Sequence, residues 1–353
     1  MIFCSVVMFA SCGNKTYEIA IVTDVGQLKD GGFNEGTYNG AKNYAEKNNI
    51  TYQYYQPANG ANATDNDRIA AMRQAVKNGA KIIIAPGFLQ AKAMETVAKE
   101  SPEVKFVFID GWALGLDNVT AVVYKEEESG YMAGYAAVID GYTKLGGTFG
   151  GGGTNPACNR FGFGFVQGAA AAASELATDI EIKYSYMYGS EFGSSPELQT
   201  QIAGWYAAGT QVVFSCGGSM VQSVKSAAEE TTNGKIIGVD VDQASLSDRV
   251  ITSAVKGLSV SVEKILTQFY AGEWDAKLAN KTSNLGAADD ATGISFDTSR
   301  FQKFTKAQYE ALFAKVKAGE VSISSEVPEN CNDAAWLTAA VADNAHVTIV
   351  FDK

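Results

Sequence analysis

Tyr17-Glu-Ile-Ala-Ile-Val-Thr-Asp24, running on through Val25-Gly-Gln-Leu-Lys-Asp30-Gly-Gly-Phe33-Asn34, decides how the rest of the chain is read. Ile19 to Val22 is an apolar run rich in β-branched residues, as in a strand covered on both faces. It stops at Thr23 and Asp24 and gives way to a loop carrying Gly26, Gly31 and Gly32. Beyond Asn34, residues Tyr38, Ala41, Tyr44 and Ala45 recur at helical spacing, so the unit is strand, loop, helix. In open α/β sheets, ligands sit where strand carboxyl ends and helix N-termini converge. The loop offers two carboxylates, an aromatic ring and an amide, which equip it to hold a small molecule by hydrogen bonds and a stacked plane.

The same unit repeats along the chain. Strands are expected at 50–55, 81–85, 104–109 and 119–124, with helices at 65–77 and 91–99 between them. A second series then begins: a helix at 126–138, a short strand running into the turn Gly150-Gly-Gly-Gly153, and a helix at 161–175. A strand at 181–187, a helix at 196–208 and strands at 211–215 and 235–239 complete it. Near-continuous apolar strands alternating with helices imply parallel sheets covered on both faces. The fold class is therefore α/β with two similar lobes, and the chain crosses between them near Tyr124, Lys256 and Gly286 as short hinge strands would. The expected division is a leader and tether over 1–16, a first lobe of 17–124 plus about 257–285, and a second of 125–256 plus about 286–325. Residues 326–353 form a C-terminal extension in which 347–351 has the composition of an edge strand, and Thr305-Lys-Ala-Gln308 is a capping box opening a further helix.

Composition narrows the function. The 353 residues are 46% hydrophobic and 19% charged, which fits packed domains rather than disorder. The net charge of -11 and the absence of a Lys/Arg-rich run leave no electrostatic footprint for nucleic acid. His346 is the single histidine, which argues against Ser-His-Asp or Cys-His catalysis and histidine zinc sites, and reads as a surface or packing residue. The five cysteines show no C-x-x-C spacing, and three of them (Cys158, Cys216, Cys331) lie in the body of the chain, where pairing is unforced.

Residues 1–11 form an uncharged apolar run too short to span a bilayer, with the character of a signal-peptide core. Ala10 and Ser11 before Cys12 resemble a bacterial lipoprotein box, in which the cysteine is lipidated after cleavage. The run departs from that pattern in lacking a basic start and in carrying Phe9 where leucine is usual. The alternative is a buried N-terminal strand. As a lipoprotein, the chain is exported and tethered to the membrane at Cys12.

Polar groups recur at expected strand ends: Asp24, Asp110, Gly217 with Gly218, and Asp240. Each alone serves equally as a cap or turn residue; spread over two lobes, together they outline a cleft. Gly150 to Gly153 lacks the Gly-Lys-Ser/Thr ending of a phosphate loop, and Phe161-Gly-Phe-Gly-Phe165 lacks the Gly-x-Gly-x-x-Gly spacing, so both read as tight turns and close packing. Glu126-Glu-Glu128 reads as the first turn of a helix and Asp289-Asp290 as a solvated loop, leaving no carboxylate pair in a recognisable acid/base setting.

The ordered series resembles the basic membrane protein family, the purine nucleoside receptor A-like lipoproteins that serve ABC importers as substrate-binding proteins. The likeness rests on Asp24-x-Gly26, Asp30, Phe33-Asn34 and Gly36, then Phe108-Ile-Asp110-Gly111 and Glu128-Ser-Gly130-Tyr-Met-Ala-Gly134. It continues through Gly150-Gly151, the segment from Phe161 to Gly168, and Gly238-Val-Asp240-Val-Asp242-Gln243. The resemblance implies a type I periplasmic-binding-protein fold, two doubly wound parallel-sheet lobes joined by a hinge, with no enzymatic activity and no cofactor. It implies that a purine base (adenosine, guanosine or inosine) stacks between Phe33 and Phe192, with Asn34, Asp24 and Asp110 at its edge. Gly218, Asp240 and Lys256 then meet the ribose hydroxyls, and an ABC permease is the partner. An uncharged nucleoside suits such a site, because stacking and satisfied hydrogen bonds supply affinity without a phosphate clamp. The rivals are the same fold holding a sugar or another nucleoside, and a surface lipoprotein acting in adhesion or sensing. A nucleoside hydrolase ranks behind both.

Overall fold

A computed structural model describes residues 16–24, 28–331, 333 and 335–352. The expectations for the leader, for Cys12 and for Gly26 lie outside these residues. The chain opens with β1 (Ile19–Val22), α1 (Phe33–Asn48), β2 (Tyr52–Tyr55), α2 (Asp65–Lys77), β3 (Ile82–Pro86), α3 (Ala91–Glu100), β4 (Lys105–Ile109) and β5 (Val119–Tyr124). Next come α4 (Glu126–Ile139), β6 (Lys144–Phe149), α5 (Pro156–Leu176), β7 (Ile180–Ser185), α6 (Pro196–Ala207), β8 (Val212–Cys216), α7 (Met220–Glu229), β9 (Lys235–Asp240) and β10 (Val250–Lys256). The last elements are α8 (Leu258–Tyr270), β11 (Lys281–Leu285), β12 (Thr292–Ile294), α9 (Lys306–Lys317), α10 (Ala335–Ala340) and β13 (Val347–Asp352).

The strands form two sheets, ordered β11-β5-β4-β3-β1-β2 and β12-β10-β9-β8-β6-β7-β13. Pairing is parallel throughout except for β12, which runs antiparallel to β10. The unbroken apolar strands are explained by their two covered faces. Ile19 and Ile21 of β1 pack toward α1 and α8, while Ala20 and Val22 pack toward α2 and α3. Each such fully buried Ile or Val contributes about 1.5–3 kcal/mol. Helix starts follow local chemistry: Thr64 and Asp67 close a capping box on α2, Thr305 and Gln308 close another on α9, and Asn155 caps α5 ahead of Pro156.

Helices α4 and α5 pack almost backbone to backbone. A Cβ on Gly130 would lie 2.1 Å from the Phe161 carbonyl oxygen, and one on Gly164 would lie 2.1 Å from that of Glu127. The Phe-Gly-Phe-Gly-Phe run, which lacks the Gly-x-Gly-x-x-Gly spacing, is thus a helix-packing surface, as its reading as close packing expects.

Three crossovers join the sheets, and hydrogen bonds stitch them together. The Lys125 N–H donates to the Leu285 carbonyl (2.9 Å) and the Gly257 N–H to that of Ala291 (2.8 Å). Glu128 accepts from the Ala287 N–H and the Thr292 hydroxyl, both at 2.6 Å. Next to it, Ser129 Oγ donates to the Val255 carbonyl (2.8 Å) and accepts from the Gly293 N–H (2.9 Å). The polar, exposed β11 pairs with β5 in the first sheet, and β13 of the C-terminal extension lies beside β7 in the second. The Trp205 indole N–H donates to Asp352 (2.5 Å), tying that last strand down. His346 faces Asp179 at 2.8 Å, at the start of the same edge and away from the cleft.

Candidate ligand site in the cleft

The carboxyl ends of strands from both sheets converge on a cavity of about 620 Å³, within the range of small-molecule sites. All eight residues expected at a ligand line it: Asp24, Phe33, Asn34, Asp110, Phe192, Gly218, Asp240 and Lys256. Asp24 follows β1, Asp110 follows β4 and Gly218 follows β8; Asp240 and Lys256 end β9 and β10. Phe33 and Asn34 open α1, and Phe192 sits in the loop between β7 and α6. Asp110, Phe192 and Asp240 all have positive φ, at 56°, 57° and 68°, a conformation that costs non-glycine residues energy and clusters at functional sites.

The amide end of the site is organised by Asp30. Its carboxylate accepts from the backbone N–H groups of Gly32 (2.8 Å), Asn34 (3.0 Å) and Glu35 (3.2 Å), taking up the free donors at the start of α1. It also accepts from Asn34 Nδ2 at 3.0 Å, while Asn34 Oδ1 accepts from the Asp24 N–H at 3.3 Å. These two bonds settle which way the Asn34 amide faces, leaving one N–H and one lone pair for a ligand. Burial pushes the Asp30 carboxyl up, against the pull of the N–H groups it accepts. Asp24 also faces the buried Arg68 guanidinium at 3.9 Å.

The opposite end is a buried charge cluster. Lys256 Nζ lies 2.6 Å from Asp110, 3.5 Å from Glu126 and 3.6 Å from Asp240. Arg160 closes the set, its Nε 2.7 Å from Glu126 and 3.8 Å from Glu127. Burial penalises the Lys256 ammonium, yet Asp110, Asp240 and Glu126 together hold its pKa well above the ordinary lysine value. Burial raises Asp240 to about 6 and Glu127 to about 7. Glu126, wholly buried, is also pushed up by desolvation, with Lys256 and Arg160 opposing. Asp110 Oδ1 is buried without a hydrogen-bond partner, an acceptor open to a donor. The ammonium also stands 4.8 Å from the Phe33 ring centre, a cation–π distance.

Phe192 is held by the turn at 150–153: a Cβ on Gly150 would fall 2.4 Å from its Cδ1. Cys158 and Cys216 contribute to the same wall, with Cys158 Sγ 3.7 Å from the Cys216 carbonyl oxygen. Burial pushes the Cys216 thiol well up, so it is a neutral, apolar surface there. Cys158, Cys216 and Cys331 are all unpaired.

Sequence reasoning missed Glu126 and Arg160. The run Glu126 to Glu128 does open a helix, as read, but Glu126 and Glu127 turn inward to the lysine and arginine instead of facing solvent. Nothing in the local pattern separates the two cases. Acidic groups outnumber basic ones around the cavity. Asp24, Asp30, Asp110, Glu191 and Asp240 face the cavity against Lys29 and Lys256, and Lys256 is already matched, so a phosphate would meet repulsion.

The model of a family described as ABC transporter substrate-binding protein PnrA-like matches residues 18–328. The chain belongs to this family. Its members are solute-binding proteins of ABC transporters and not enzymes. The chain is 29% identical to the ABC transporter nucleoside-binding protein BmpA of Lactococcus lactis, over 72% of this chain and 75% of the relative. It is 25% identical to the CD4+ T-cell-stimulating antigen of Listeria monocytogenes, over 92% and 96%. In fold it is similar to an ABC transporter solute-binding protein from Aeropyrum pernix K1, with a TM-score of 0.74, 19% identity and coverage of 93% and 96%. The type I periplasmic-binding-protein architecture is therefore that of a known solute-binding protein. Among the described residues, no helix is long and apolar enough to cross a membrane.

Proposed function

We propose that this PnrA-like protein captures purine nucleosides outside the cytoplasm and hands them to an ABC permease, held at the membrane through lipidated Cys12. The base stacks between Phe33 and Phe192, and its edge meets Asn34, Asp24 and Asp110. The ribose hydroxyls meet Gly218, Asp240 and Lys256. Ligand bridges strand ends of both sheets, which favours the closed cleft.

One observation carries this reading: a single cavity joins two aromatic rings to a buried carboxylate–ammonium cluster in which Asp110 Oδ1 lacks a partner. Flat rings suit a base, and carboxylates that accept paired hydroxyl donors suit a ribose diol. The excess of acidic groups favours nucleosides over nucleotides. The name of the Lactococcus relative points the same way.

Calorimetric titration with adenosine, guanosine, inosine, cytidine and ribose tests it, on protein lacking residues 1–12 and refolded from denaturant to strip carried-over ligand. Purine nucleosides should bind, and Phe33→Ala should weaken them by the about 1–3 kcal/mol of one stacked ring, roughly 5- to 150-fold. Binding of ribose alone would replace the nucleoside by a sugar. Silence from all five would favour adhesion or an unrelated solute. For the anchor, Cys12→Ala in the full chain should shift the protein from membranes to the soluble fraction.

A further inference from the structure

Gly36 and Gln243 belong to the sequence signature, yet neither lines the ligand cavity. The structure brings them together elsewhere. Gln243 lies in the loop after β9, on the second sheet, and its Nε2 donates to the Gly31 carbonyl on the first-lobe loop at 2.8 Å. That loop leads directly into Phe33 and Asn34. Gln243 is 1% exposed and gripped on its own side: Oε1 accepts from the Val239 N–H (3.1 Å) and its backbone N–H donates to Ser253 Oγ (3.0 Å). Two residues before it, Val241 packs into the apolar cluster of the first lobe. It approaches α1 so closely that a Cβ on Gly36 would sit 2.7 Å from its Cγ1. Leu246 lies at contact distance from Gly31, about 3.5 Å from where a Cβ would be.

We propose that Gln243, Val241 and Gly36 form a latch between the lobes, which holds the cleft shut without touching the ligand. This rests on reading the cleft as one that closes on its solute. A glutamine held at both ends is a rigid bolt: the second lobe fixes its oxygen, so its N–H group can reach only one carbonyl across the gap. When the lobes part, the Gly31 carbonyl and the amide exchange this bond for water, and Val241 leaves its apolar seat. The latch therefore acts on the lifetime of the closed state and not on encounter.

Gln243→Glu in the full-length protein is the test. The carboxylate keeps an acceptor for the Val239 N–H but sets oxygen against oxygen at Gly31. Val241→Ala is the second variant, emptying the apolar seat against α1 without touching the first lobe's own packing. Inosine dissociation, followed by stopped flow, should quicken about three- to tenfold in both variants, as expected for one hydrogen bond or one packing contact. The association rate should stay near wild type, and X-ray scattering should show a more open ligand-free particle. Dissociation and scattering unchanged in both variants would overturn the latch, as would a loss confined to association. If wild-type protein ignores inosine while both variants open in scattering, the latch stands and the nucleoside reading falls.

Discussion

Replacing Lys256 by methionine removes the one ammonium that Asp110 and the buried Glu126 and Asp240 share. The side chain is 2% exposed and lies 2.6, 3.5 and 3.6 Å from Asp110, Glu126 and Asp240. At an effective dielectric of about 20, one such pair at about 4 Å attracts by about 4 kcal/mol. Desolvation cancels part of that, and breaking a buried pair by removing one partner costs about 3–5 kcal/mol. For a protein of this size Tm should fall by on the order of 10 °C at pH 7.5. The loss must also depend on pH in a defined direction. Burial already lifts Asp240 to about 6 and pushes Glu126 up, each against the pull of Lys256, so without the ammonium both rise further. A carboxyl whose folded pKa exceeds its unfolded value binds protons on folding, so the variant regains stability as pH falls from about 7 toward 5. Thermal melts by circular dichroism from pH 5 to 8 give the difference between wild type and K256M, and adding Asp110→Asn should restore part of it. A deficit below about 2 °C, or one flat across this range, would refute the claim that the cluster is a mutually dependent charge set.

Two further outcomes follow from the same geometry. Gly150→Ala should drive a methyl into the Phe192 ring, which a Cβ there would approach to 2.4 Å; calorimetry should show nucleoside affinity falling about tenfold or more, as on losing a stacked plane, while association with Phe33 persists as residual binding. Asp240→Asn should raise Tm over wild type by more at pH 7.5 than at pH 5, because ionising a carboxyl lifted from 3.8 to about 6 costs the wild-type folded state about 3 kcal/mol above pH 6. The same variant should weaken ribonucleosides more than their deoxy analogues, and equal weakening of both would remove Asp240 from the ribose.

Much of this architecture was legible because parallel α/β proteins obey positional rules. An apolar run with both faces covered, followed at once by Asp or Gly, marks a strand end at the cleft; Asp24, Asp110 and Asp240 were all read that way. The capping box at Thr305 and the limits of α2 were legible because a helix start is local chemistry. Elements whose identity depends on distant partners were less so. Lys281-Thr-Ser-Asn-Leu285 is a polar edge strand with no hydrophobic period, and only β5 makes it one. Glu126 looks like any acidic residue in a first helical turn, and its burial follows from Lys256 and Arg160, distant in sequence. Asp30 was legible as part of the loop, but not as the group that orients Asn34, since that role depends on the turn bringing four donors to one carboxylate. Gln243 was visible as a motif residue and silent about its purpose, because its partner is a backbone carbonyl that no sequence pattern reports.

The stitched crossovers have a mechanical consequence. Glu128 and Ser129, neighbours in the first turn of α4, grip the other two connections through Ala287, Thr292, Val255 and Gly293. Strands bound to one another at the same height cannot slide or shear independently, so the joint behaves as a single flexure with one soft direction. Opening is then one coordinate instead of several, and the relaxation that follows a jump in ligand concentration should be a single exponential.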